Sequence, residues 1–120
     1  MAYLSKEKTK LIREEIKRQF PRKDGWKFSI RNENHSTIMI SIMESPIRFH
    51  EKDYTQLNHY YPENYENSNI LRELKDIANG RFLPENQQNF DKSDIMTDYF
   101  HVGWYISLEQ GQWDKPFKQV

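Results

Sequence analysis

Three carboxylates and a histidine stand close together late in the chain, at Asp91, Asp94, Asp98 and His101. Oxygen ligands at that density suit a hard divalent cation. The acidic spacing and the glycine of a calcium-binding loop are missing, however, and aspartates capping short turns explain the same residues, so no metal site is assigned. His101 alternates with Tyr99 and Tyr105 along a strand-like pattern, which sets an imidazole on an accessible face where a general base can work. Spacing supplies neither a nucleophile nor a partner carboxylate, and a small enzyme with an open-face His/Tyr site ranks third among the readings. His35, His50 and His59 are dispersed, with His35 in a predicted turn and His50 in a loop. The glycines at 25, 80, 103 and 111 are too scattered to cradle a phosphate, and the chain has no G-x-S-x-G elbow, no H-E-x-x-H helix and no cysteine. No catalytic residue and no cofactor are assigned.

The accessible face carries more information than any single side chain. Tyr99, His101 and Tyr105 share it, and a preceding hairpin adds Lys27, Arg31, Met39 and Met43. Rings with cations can stack bases while holding phosphates; the same residue types are enriched in protein interfaces. A third account has the C-terminal tail fold over this face through Trp113 and Phe117. Lysine plus arginine and aspartate plus glutamate are both 18, giving zero net charge, and this balance favours a protein partner over nucleic acid. A homodimer through the same face is a further expectation. Residues 1–31 hold ten basic and four acidic side chains, an asymmetry that allows a basic patch.

Six elements must position these residues. Ser5 can cap a helix over roughly 5–19, whose stripe is Leu11, Ile12, Ile16 and Phe20. Pro21 and Asp24-Gly25 stop it. Trp26, Phe28 and Ile30 alternate with Lys27, Ser29 and Arg31; after the turn at 32–35, Ile38, Ile40 and Ile42 alternate with Met39, Ser41 and Met43. This predicts an antiparallel hairpin with one apolar face. Residues 54–61 are β-leaning but ambiguous. Asn67 or Ser68 can cap a second helix over roughly 68–79, with Ile70, Leu71, Leu74, Ile77 and Ala78 as its stripe and Asn79-Gly80 as its stop. Residues 81–96 read as a loop, and 97–108 as the longest strand. The expected class is α+β, in the order α-β-β-β-α-β: an antiparallel sheet of about four strands with two helices on one face.

The chain of 120 residues suits one domain, 1–120, and its 36 % hydrophobic and 14 % aromatic content points to a core of few but bulky side chains. No apolar run is long enough to span a membrane, and the N-terminus lacks the order of a signal peptide, which makes the cytoplasm the expected compartment. Ile77-Ala78-Asn79-Gly80-Arg81-Phe82, Asn89-Phe90-Asp91-Lys92-Ser93-Asp94, Thr97-Asp98-Tyr99-Phe100 and Trp113-Asp114-Lys115-Pro116-Phe117 resemble the large polyvalent protein-associated domains of phages, plasmids and conjugative elements. Trp26-Lys27-Phe28-Ser29 and Ser41-Ile42-Met43-Glu44 extend the resemblance over nearly the whole chain. The resemblance implies a mobile-element setting and a compact α+β module often fused to DNA-processing or anti-restriction proteins, with no established reaction or active site. The domain here is expected to stand alone, so roles of fused neighbours do not carry over. If the chain is one cooperative unit, thermal unfolding followed by circular dichroism and by tryptophan fluorescence will superimpose; two midpoints would divide it.

Overall fold

The structure, a computed structural model, describes residues 3–89 and 103–120. Helix α1 spans Lys6–Gln19 and α2 Ser68–Ala78; the strands are β1 Lys27–Glu33, β2 Thr37–Ser45, β3 Thr55–Leu57, β4 Tyr105–Gln110 and β5 Lys118–Gln119. The Ser5 hydroxyl accepts the Lys8 N–H at 3.0 Å and so starts α1. Asn67 begins α2 differently from expectation. Its backbone is left-handed, its side chain caps no helix N–H, and its amide nitrogen instead donates to the Arg48 carbonyl at 2.7 Å. The hairpin turn places Asn34 and His35 at φ 56° and 55°, and Ser36 N–H closes it on the Glu33 carbonyl. Two successive left-handed residues match the right-handed twist of the flanking strands.

The α+β class with two helices stands, with one correction to the sheet. Its order is β1-β2-β4-β3, and β5 pairs with β2 beyond the end of β4. β1·β2 and β3·β4 are antiparallel, but the central pair β2·β4 is parallel, with Ile38 opposite Ile106 and Ile40 opposite Leu108. The chain leaves β2, forms β3 and α2, and only then returns as β4. A connection of that length permits a parallel neighbour, which a tight hairpin does not.

Register assigns the two faces. Phe28, Ile30, Ile38, Ile40, Ile42, Leu57, Ile106 and Leu108 lie on the inner one, where Ile12 and Ile16 of α1 and Leu71, Leu74 and Ile77 of α2 complete the core. Leu11 departs from the expected helix stripe: it is 42 % exposed, and Thr9 is buried in that region of α1. Trp26 and Trp104 are both buried, as the strand phase requires. The long strand expected over 97–108 begins at Tyr105 and runs on to Gln110; residues 97–102 lie outside the described residues.

Two amides, one buried and one partly buried, join the elements. Gln110, fully buried, accepts from the Phe49 and His50 N–H groups at 2.9 and 3.3 Å and donates to the His50 and Lys52 carbonyls at 2.9 and 2.6 Å. Asn89 bonds to both the N–H and the carbonyl of Trp104 at 2.9 and 3.0 Å and to the Asn79 side chain at 2.9 Å. The Trp104 indole N–H in turn donates to the Ala78 carbonyl at the end of α2, at 2.9 Å. Next to Gln110, Gly111 has φ 75°, and a Cβ there would lie 2.1 Å from the Asp53 carbonyl oxygen. Only glycine allows so close an approach.

Truncating Trp104 to alanine is expected to cost about 3–5 kcal/mol, the range for a buried large aromatic. Gln110→Ala leaves four backbone groups without their partner and is expected to cost at least about 2 kcal/mol. Urea denaturation of each variant measures both; wild-type midpoints would invert the assigned faces.

Candidate functional site

The outer face of the sheet is polar, and one carboxylate lies buried in it. Period-two alternation turns Ser41, Glu109 and Gln56 to this side, where register sets them in one row across β2, β4 and β3. Glu109 is only 6 % exposed and Ser41 is fully buried. The Ser41 hydroxyl donates to Glu109 Oε1 at 2.5 Å, the Gln56 amide donates to Oε2 at 3.2 Å, and the Arg31 guanidinium lies 3.8 Å from Oε1. A carboxylate held away from water needs such partners. Lys27 and Glu44 form a separate ion pair at 3.6 Å, at the bulge where β1 begins.

Residues 111–117 form an excursion between β4 and β5, and this excursion shapes the site. Gln112 and Lys115 bridge its base, and the Gln112 amide reaches the Ser41 hydroxyl at 3.4 Å. Phe117 turns inward to the core, where Arg48 packs over its ring at 5.1 Å, whereas Trp113 is 82 % exposed. Between the excursion and the sheet lies an open pocket of about 360 Å³, with Glu109, Arg31, Gln56 and Gln112 as its polar lining and Trp113, Tyr54 and Asp114 among its walls. The tail therefore does reach the outer face, but with an amide and not with a hydrophobic lid.

Of the expected site residues, the structure puts Arg31 at this pocket and leaves Tyr105 half exposed on the same face, paired with Thr37. Lys27 lines a different hollow, beside Trp26 and Phe28. Tyr99 and His101 lie outside the described residues, as do Asp91, Asp94 and Asp98. The sequence reading passed over Glu109, Gln56, Gln112 and Tyr54, and it offered Trp113 as a ring packed over this face, whereas the indole is exposed. Glu109 was recoverable, because it continues the alternation Tyr105, Ser107, Glu109 one step past the expected strand end.

The pocket can receive a hydrogen-bond donor or a cation at Glu109 and a flat or apolar group against Trp113 and Tyr54. Ser41 spends its proton on Glu109, and no imidazole stands beside it among the described residues. Among those residues, too, no three His, Asp or Glu side chains converge as metal ligands. No helix among them is long and apolar enough to cross a membrane.

His59, outside this pocket, gives a pH response. Burial, and then the Lys75 ammonium, hold its pKa below the usual 6.5, against a backbone hydrogen bond at Ile106 that raises it. Lys75 also donates to the His59 carbonyl at 3.0 Å. The unfolded chain therefore binds a proton at His59 more readily than the folded chain does. Its neutral form favours folding fully above about pH 6.5, and that contribution falls as pH drops from there through the lowered folded-state value. Melting temperatures measured from pH 8 to pH 5 will fall on acidification, and His59→Gln will flatten this component; an identical profile for both chains would exclude it.

No curated protein and no solved structure matches the chain. Most of the inner core and strands β1 to β3 fall within residues 3–102, whereas β4, the excursion and β5, and with them Glu109, Gln112, Trp113 and Asp114 of the pocket, lie beyond them. Those 3–102 residues match the family described as large polyvalent protein associated domain 29, and the chain belongs to that family.

Proposed function

We propose that the chain is a non-enzymatic interaction module that docks a partner protein on its outer sheet face. The observation that carries this reading is Trp113, 82 % exposed at the mouth of a pocket whose floor is the buried Glu109. Leaving an indole in water forgoes about 25 cal/mol for each Å² of apolar surface that a partner could cover. Tryptophan, tyrosine and arginine are the residues that anchor interfaces, and Trp113, Tyr54 and Arg31 surround one polar cavity. Tyr105 extends the face, and the alternation of the sequence is the ground for counting Tyr99 and His101 in the same proposed surface. A basic side chain of the partner, entering between Trp113 and Tyr54, would meet Glu109 and Asp114.

The mobile-element setting implied by the family resemblance suggests a host or phage protein as the partner, met in the cytoplasm, and interference with a host defence protein is the role we assign to the contact. A second copy of the chain is the competing occupant. Nucleic acid is the alternative partner and has its own support elsewhere on the surface.

Affinity capture from host lysate, run with wild type, Trp113→Ala and Glu109→Gln, tests the reading. One protein is expected to bind wild type and to lose about 2 kcal/mol or more of affinity, roughly thirtyfold, with Trp113→Ala, while the melting temperature holds. Equal retention by all three chains would exclude this face, and a concentration-dependent dimer abolished by Trp113→Ala would replace the partner with a second copy.

A further inference from the structure

We propose that a hollow between the end of α1 and the start of β1 binds one base and its phosphate from a single-stranded nucleic acid. This site is separate from the outer-face pocket and does not depend on the reading given for it. Three rings build it. Trp26 stacks on Phe28 with ring centroids 5.6 Å apart and planes 5° apart, and Phe20 closes on Trp26 at 4.9 Å. Phe20 and Trp26 are almost fully buried, whereas Phe28 is half-buried, so the rings present one partly open side to a concavity of about 210 Å³.

Cations supply the rest of the lining: Lys17 on the last turns of α1, Arg22 in the following turn, and Lys27 at the start of β1. All three are exposed. Lys27 shares its charge with Glu44, but Lys17 and Arg22 have no ion pair among the described residues, in contrast to Lys10 and Arg18 on the same helix. No carboxylate lines the hollow. The carbonyl end of α1 opposes an anion with about half a charge. Two uncommitted full charges and a shared third outweigh it.

An aromatic floor under a cationic rim fits a ligand with a planar ring and an anion within one side chain's reach. A nucleotide unit has both. Beyond the hollow α1 carries Lys6, Lys8, Lys10, Arg13 and Arg18 against Glu7, Glu14 and Glu15, a basic excess even with Lys10 and Arg18 ion-paired, and a strand can follow such a surface where a lone mononucleotide cannot.

Fluorescence anisotropy with a short labelled oligothymidylate tests this. Binding is expected at low salt and is expected to weaken steeply between roughly 50 and 200 mM. Lys17→Ala and Arg22→Ala, both at exposed positions, should each weaken it about tenfold and reduce the salt slope by about 0.7. Phe28→Leu should weaken binding without changing that slope. Trp113→Ala should bind as wild type, which keeps this site distinct from the docking face. No binding, wild-type affinity in both charge variants, or equal displacement by polyphosphate or an acidic peptide would overturn the proposal. Displacement by free thymidine monophosphate at the same concentration as the oligomer would overturn the strand in favour of a free nucleotide.

Discussion

The arrangement depends first on the Gln110 side chain. A primary amide buried without partners costs free energy in proportion to each bond it fails to make. Gln110 avoids that cost by bonding backbone groups of His50 on both its donor and its acceptor side, together with Phe49 and Lys52. Those bonds hold the loop before β3 against the end of β4. The loop in turn presents the Asp53 carbonyl to the Phe117 N–H at 2.7 Å, and that contact returns the tail to the edge of β2. Glu109, one residue earlier, points to the opposite face because successive strand residues alternate. A single dipeptide of β4 thus secures the loop below the sheet and the carboxylate above it.

The two faces follow different energetic rules. On the inner face, aliphatic and aromatic side chains gain by leaving water, and their exact partners matter less than their volume and position. On the outer face, Ser41, Gln56 and Arg31 are needed because each bond to Glu109 offsets part of the cost of burying charge. Exposed ion pairs such as Lys10–Glu14, at 4.0 Å, contribute about 0–1 kcal/mol at most. A carboxylate only 6 % exposed is a larger commitment, and sparing it would have been easy with a threonine or valine. This contrast separates the site from the ordinary charged surface around it.

What the residues revealed in advance followed from periodicity. The two helices, the hairpin and its turn, and the burial of Trp26 and Trp104 come from repeats of 3.6 and 2.0 that side-chain packing enforces. Strand direction leaves no such trace, since a parallel and an antiparallel neighbour bury the same alternate residues; the β2·β4 pairing was therefore illegible. Asn67 shows another limit. Its side chain had two outlets, the helix N-terminus and the Arg48 carbonyl, and only the distant backbone selects between them. The candidate pocket was half visible through Arg31 and Tyr105. Trp113 read as an apolar tail residue, because hydrophobicity alone does not distinguish a ring that packs from a ring held outward by its loop, and Phe117, four residues on, does pack.

The excursion between β4 and β5 begins and ends on the same strand. Gly111 N–H bonds to the Ile42 carbonyl and Val120 N–H to the Ser45 carbonyl, so β2 holds both ends while residues 112–116 contribute no hydrophobic side chain to the core. Loop closure costs rise only slowly with length. Mutations between the anchors consequently escape the constraint that packing places on Phe117 and Gly111, and stability and recognition can be selected almost independently. Lineages of this architecture could exchange one recognition surface for another by altering five successive positions, 112–116, without first acquiring a compensating change in the core.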